Sequence, residues 1–386
     1  MLNKINNKIL PLITVGFPGG YKFLIVLVVT SLASAAIATD FSKMFFWVAL
    51  LVTFSGLPVA SLMVSPQFIL TIKHKGILIL LSSIIAFIVA YSIELHQYSY
   101  IDNLFIYSSA LCLSIYEILK RDFLNNADFN SLFMASCLSL MIVFTLLLVL
   151  YLFKTSSAEL ILIATFTALM LPLLYLHTIK KPAPIANQSS FSDIAAGFVK
   201  YTLSNATSTS LLFALPLVLL AEMGDVIAAD LAQVFYFTSL TYLIPHALSA
   251  KHIPNMRQYG IVPGDVTSFF LSIFIFVVFT SLLALPLIQH FYTQWIVYLM
   301  LFIAMQISQL SLPFSNVLMV KGQANKILKV NIVASTVLVI LITLIMFNVT
   351  AGDNRAKLLL LSFIGFQLLK LLLNYSSAKE YIRVTH

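Results

Sequence analysis

Charge is what this chain most lacks. Of its 386 residues only 9% are Asp, Glu, Lys or Arg, against about 25% in an ordinary globular domain. So few ions cannot cover a water-exposed surface, which excludes a soluble enzyme, a disordered chain and a nucleic-acid-binding protein. Cysteine is scarce as well. Cys112 and Cys137 both lie in apolar runs, a placement that reads as inert packing rather than a disulfide or metal site. No HExxH, Ser-His-Asp, Walker or CxxC pattern occurs, so no catalytic residue, cofactor or metal is expected.

Apolar residues are what the chain has in abundance: 60% of it is hydrophobic, with a mean hydropathy of +1.00. Twelve stretches approach the roughly 20 apolar residues a spanning helix needs. They cover 11–37, 42–64, 76–95, 100–118, 131–153, 158–178, 195–220, 227–248, 266–287, 293–319, 329–349 and 357–376. None alternates with the period of two that a barrel strand requires. The expectation is an all-α polytopic membrane protein of about 12 transmembrane helices.

The breaks between these stretches alternate in charge. Fifteen basic residues, among them Lys73, Lys75, Lys180 and Lys326, fall on one set of breaks; four, Lys43, Lys154, Arg355 and Lys357, fall on the other. By the positive-inside rule both termini are cytoplasmic and the span number is even. The run Ser31-Leu-Ala-Ser-Ala-Ala-Ile-Ala38 has some features of a cleavable signal, but Lys22 interrupts the apolar region before it. A Pro-, Lys- and Ser-containing stretch around 178–190 reads as a linker between two six-helix lobes, 1–180 and 181–386. The lobes echo each other faintly. Gly16-Phe17 before Lys22 recurs as Gly197-Phe198 before Lys200, and Asp40-Phe-Ser-Lys-Met-Phe-Phe46 as Asp230-Leu-Ala-Gln-Val-Phe-Tyr236, each followed by a proline, Pro58 or Pro245.

Ions inside a membrane are the informative ones. Lys22 follows Pro18-Gly19-Gly20, a sequence that predicts a kinked or broken helix. It either lines a cavity or snorkels to the surface. Lys200 opens the polar run Thr202-Leu-Ser-Asn-Ala-Thr-Ser-Thr-Ser210, which cannot face lipid throughout and faces other helices or a lumen. The candidate substrate-contacting residues are therefore Lys22, Lys200, Asn205 and Ser208. Acids deep in spans are missing, which leaves Asp40 and Asp230 as weak candidates for ion coupling. Phe45, Phe46, Trp47, Phe235, Tyr236 and Phe237 sit near outer helix ends and read as an interfacial belt or as sugar-stacking surfaces.

Several segments carry a resemblance. They are Asp40–Met63 with Gly56-Leu-Pro58, Lys120-Arg-Asp-Phe-Leu-Asn-Asn-Ala-Asp-Phe129, Leu231-Ala-Gln-Val-Phe-Tyr-Phe-Thr-Ser-Leu240 and Lys321-Gly-Gln-Ala-Asn-Lys326. Together they resemble the polysaccharide (O-antigen, or Wzx-type) flippases of the multidrug/oligosaccharidyl-lipid/polysaccharide superfamily. The resemblance implies twelve helices in two lobes, a cationic central cavity and a bacterial inner-membrane location. It further implies an undecaprenyl-pyrophosphate-linked oligosaccharide as substrate and polysaccharide polymerase machinery as a partner. Two rivals differ in kind. An O-antigen polymerase or ligase-type membrane glycosyltransferase would need a large external loop with Arg and His, and the external breaks here are short. A drug/cation antiporter of the same fold would need acids in its cavity.

Overall fold

The computed structural model describes residues 2–65, 68, 70–93, 95–126, 128–152, 157–180 and 190–383. They form sixteen α-helices and no strand. In chain order these are α1 (Leu2–Leu32), α2 (Ala35–Val52), α3 (Gly56–Val64), α4 (Ile72–Ile93), α5 (Tyr100–Asn125), α6 (Phe129–Leu152), α7 (Ala158–Ile179) and α8 (Phe191–Ala206). There follow α9 (Thr209–Met223), α10 (Ala228–Thr241), α11 (Leu243–Tyr259), α12 (Pro263–Phe291), α13 (Trp295–Gln309), α14 (Leu312–Val320), α15 (Ala324–Asn348) and α16 (Asp353–Arg383).

Ten stretches among the described residues are long and apolar enough to cross a membrane. Four of them join two helices each: Ala35–Val64, Phe191–Met223, Asp225–Ser249 and Trp295–Val320. The other two expected segments are the helices α1 and α5. The apolar part of α1 is shorter, Gly16–Leu32, and α5 carries Asp102, Glu117, Lys120, Arg121 and Asp122 at its ends. Helix starts follow local chemistry. The hydroxyls of Ser99, Ser157 and Ser190 accept from the backbone N–H groups of Asp102, Leu160 and Asp193, which would otherwise be unpaired in the first turn.

Packing divides the chain into two compact units, Met1–Leu10 with Ile25–Ala214, and Pro11–Leu24 with Leu215–His386. This partition differs from a cut at 180/181. Residues 191–214 pack with the first unit, and residues 11–24 with the second.

In the first unit α5 packs against α2, α3, α4 and α7. The break between α2 and α3 brings Ser55 to within 2.7 Å of Ser114 on α5. A Cβ on Gly56 would lie 2.6 Å from the Ser114 Cα, so this glycine lets α3 lie flush on α5. In the second unit α16 packs against α13, α14 and α15.

Ion pairs join residues that the charge alternation puts on the same side. Lys75 Nζ donates to Asp122 at 2.6 Å, and Lys180 pairs with Asp128, on the lysine-rich side. Arg355 Nε donates to Glu222 at 2.7 Å, and Lys357 pairs with Asp353, on the other.

Two sequence expectations are corrected. Of the kink or break expected at Pro18-Gly19-Gly20, the break is absent: α1 runs continuously from Leu2 to Leu32. The glycine serves close approach instead: a Cβ on Gly19 would stand 2.4 Å from the Ser239 carbonyl oxygen of α10. The Ser239 hydroxyl also donates to the Gly19 carbonyl at 3.2 Å. The aromatic belt is corrected as well. Phe45, Phe46, Trp47, Phe235 and Tyr236 are buried in the cores of their units rather than interfacial. Phe237 stacks on Phe302 with ring centroids 5.9 Å apart. Their positions near helix ends suggested a membrane interface, but neighbouring helices cover them.

Candidate substrate and ion sites

Lys200 belongs to the first unit and stands on α8, three residues after Gly197. A Cβ on Gly197 would meet Phe68 Cζ at 2.6 Å and Leu62 Cδ2 at 3.0 Å, so α8 is held tightly by α3 and the chain after it. Lys200 is half-buried and has no ion-pair partner among the described residues. The polar run that follows splits the expected helix at Thr207 and Ser208, between α8 and α9. Its hydroxyls are mostly spent on their own backbone. Thr207 donates to the Leu203 carbonyl at 2.8 Å, and Ser208, which is buried, to the Ser204 carbonyl at 3.0 Å. Asn205 is different. It is half-buried and its Nδ2 has no hydrogen-bond partner among the described residues. Lys200 and Asn205 therefore offer polar groups that the first unit leaves available.

Lys22 belongs to the second unit, half-buried on the stretch of α1 that packs on α10. Phe23 beside it meets Phe237 with ring centroids 5.6 Å apart. Asp40, in the second turn of α2, is exposed.

Asp230 is better placed. It stands half-buried in the first turn of α10, within electrostatic reach of the Tyr292 and Tyr298 phenols. Tyr292 donates to Gln233 Oε1 at 2.9 Å, and the two tyrosine rings lie 5.1 Å apart. Burial, and then the Asp230 carboxylate, push the Tyr292 phenol up to about 12. The Tyr298 hydroxyl is buried with no hydrogen-bond partner among the described residues. Asp230 thus shares a neighbourhood with an amide and two phenols, oxygen groups of the kind that hold a hard cation or a proton. Asp230 was legible in sequence. Its tyrosine partners, about 60 residues away in the chain, were not.

One residue escaped the sequence reading. An apolar stretch bounded at 376 places Lys370 near a helix end, but α16 continues to Arg383. Lys370 therefore lies roughly 20 Å from the C-terminal end of the helix, at 1.5 Å per residue. It falls on the stripe with Phe363, Gln367, Asn374 and Ala378, all buried, and away from the exposed Leu361, Leu368 and Leu372. No carboxylate pairs with it among the described residues. Gln367 Oε1 and both polar atoms of Asn374 are also without hydrogen-bond partners among those residues. The helical period in Gln367, Lys370 and Asn374 was the available signal.

Comparison with protein-family models finds no match, and comparison with curated proteins finds none. Solved structures do match, over nearly the whole chain. A eukaryotic MATE transporter superposes with a TM-score of 0.67 at 14% identity, covering 99% of this chain and 98% of that one. The outward-facing conformation of a multidrug resistance MATE family transporter of the MOP superfamily gives 0.61 at 13% identity, covering 99% and 96%. A MOP superfamily transporter from Pyrococcus furiosus, described as having a binding pocket of reverse polarity, gives 0.57 at 13% identity, covering 98% and 96%. The chain has the fold of the MATE transporters of the MOP superfamily.

Proposed function

We propose that this protein is a flippase of the bacterial inner membrane that moves undecaprenyl-pyrophosphate-linked oligosaccharide units between leaflets by alternating access. Its termini are cytoplasmic, and it works beside polysaccharide polymerase machinery. The observation that carries this reading is the sign of the charge within the spans. Lys22, Lys200 and Lys370 stand away from helix ends, whereas the acids of the described spans, such as Glu159, Glu222, Asp265 and Asp353, stand at them. A pyrophosphate crossing a low-dielectric region needs cations, which lysine supplies as compact point charges. Structures of this fold named for outward-facing and inward-facing states, with TM-scores of 0.61 and 0.54, support alternating access.

The test is a flipping assay with fluorescent lipid-linked oligosaccharide in proteoliposomes. The native chain should equilibrate the lipid between leaflets, and the Lys22→Ala/Lys200→Ala double variant should lose most of that rate while folding normally. Full activity in the folded double variant removes the role of these cations. Absence of flipping by the native chain removes the function.

The oxygen cluster at Asp230, Tyr292 and Tyr298 supports a second reading, a drug/cation antiporter. In that case Asp230→Asn abolishes proton- or sodium-driven uptake of an organic cation. If the native chain shows no such uptake, the cluster serves at most as the coupling site of the flippase.

A further inference from the structure

The second unit carries a groove of about 420 Å³ between α12, α14 and α16. Phe270, Phe314 and Tyr375 form its aromatic wall, with successive ring centroids 5.4 and 5.2 Å apart. Leu372 and Tyr375 are exposed, so the groove opens on the lipid-facing side of α16. It follows α16 from Leu371 to Ile382, and the part between Leu371 and Lys379 runs about 12 Å at 1.5 Å per residue. That length fits within the depth of one leaflet's hydrocarbon, half of about 30 Å.

One ion stands at the rim. Lys379 follows Tyr375 by four residues and Leu372 by seven, which puts the three on one face. Lys379 has no ion-pair partner among the described residues, although its neighbourhood is ionic. Lys326 pairs with Glu380 and lies over the Tyr381 ring, 4.7 Å from its centroid. An apolar groove lying within one leaflet, with an uncompensated cation at the end of a spanning helix, matches a lipid that has a long chain and a net negative head. A zwitterionic lipid brings its own cation and does not complement Lys379.

We propose that this groove holds the chain of an anionic phospholipid, with the lipid phosphate on Lys379. The site is separate from the residues assigned to transport and does not depend on the identity of the transported substrate. One surface lysine favours an anionic head by about 1 kcal/mol, a roughly fivefold preference.

The test uses the purified full chain in detergent, incubated with phosphatidylglycerol or phosphatidylcholine of matched chains, and native mass spectrometry to count retained lipid. The native protein should retain phosphatidylglycerol about fivefold over phosphatidylcholine. Lys379→Gln should erase that preference with the melting temperature in lipid-free detergent unchanged, and Lys379→Arg should keep it. Thr267→Trp, which fills the groove from an exposed position on α12, should release both lipids. Equal retention of the two lipids by the native protein overturns the proposal. So does a preference that survives Lys379→Gln, or retention that survives Thr267→Trp.

Discussion

The two units bury different kinds of polar side chain. In the first, the buried polar residues are serines and threonines apart from Asn103; in the second they include Gln306, Gln309, Asn316, Asn331, Gln367 and Asn374. A hydroxyl can return its hydrogen to its own helix, as Ser82 does to Leu78, Ser114 to Ala110 and Thr165 to Ile161. A carboxamide reaches farther and can bond to another helix. Gln306 Nε2 donates to Thr241 Oγ1, and Asn316 Nδ2 donates to Ser249 Oγ at 3.0 Å. The buried hydroxyls of the first unit therefore mostly bond within their own helix, with cross-helix exceptions such as Ser55 with Ser114. In the second unit α13 is tied to α10, and α14 to α11, by hydrogen bonds that a slipped register would break.

Ion pairs sharpen the contrast most. In the second unit Glu222 is 5% exposed at its side chain against Arg355. Arg355→Met should destabilise the protein by roughly 3–5 kcal/mol in detergent unfolding, because a buried carboxylate is left unpaired. In the first unit Asp122 is 22% exposed and His177 Nε2 stands 3.6 Å away, so Lys75→Met should remove no more than about 1 kcal/mol. Equal losses at the two sites would sink the comparison.

Glycine contacts rank next. Gly19→Ala drives a Cβ toward a backbone carbonyl of α10 and should reduce stability by about 1–3 kcal/mol, the usual range for overpacking. Gly197→Ala meets mainly side-chain ends of Phe68 and Leu62 and should be milder in the same melt. An amide should count for less again. Asn316→Leu is expected to remove roughly 0.6 kcal/mol, the average interhelical bond in a membrane, whereas Ser114→Ala should fall below that. A larger loss at Ser114 would reverse the reading of the two cores.

The smallest effect is a pH dependence in the first unit. Burial raises the Asp128 carboxyl, but hydrogen bonds from Lys180 and Ser131 outweigh it and hold the group below its ordinary value. A depressed carboxylate adds stability above its unfolded pKa, near 4, and loses it as pH falls through the folded value. The melting-temperature difference between native protein and Lys180→Gln should therefore be present at pH 7 and shrink in acid below about pH 4. A difference that stays constant with pH would show that Lys180 acts by packing.

Charge was the legible part of this chain because the bilayer reads it directly: a lysine in a short break cannot change sides without crossing hydrocarbon. The pairing of Lys75 with Asp122 and of Arg355 with Glu222 agrees with sides assigned from loops alone. Helix breaks were far less legible. The Ser55–Ser114 contact that accompanies the α2/α3 break depends on a helix some 60 residues away. Pro18-Gly19-Gly20 looked like a break and is a packing surface, since glycine gives the same local signal for a bend and for a close neighbour.

The sparse charge by itself determined that the chain is a bundle of apolar helices long enough to cross a membrane, because solvation of ions is decided residue by residue. Tertiary structure decided which ions belong together. It set Tyr292 and Tyr298 within electrostatic reach of Asp230, extended α16 past residue 376, and left Lys379 unpaired over an aromatic groove. Contacts of that kind depend on which helices become neighbours, and in a chain this uniformly apolar many arrangements satisfy the hydropathy pattern equally well.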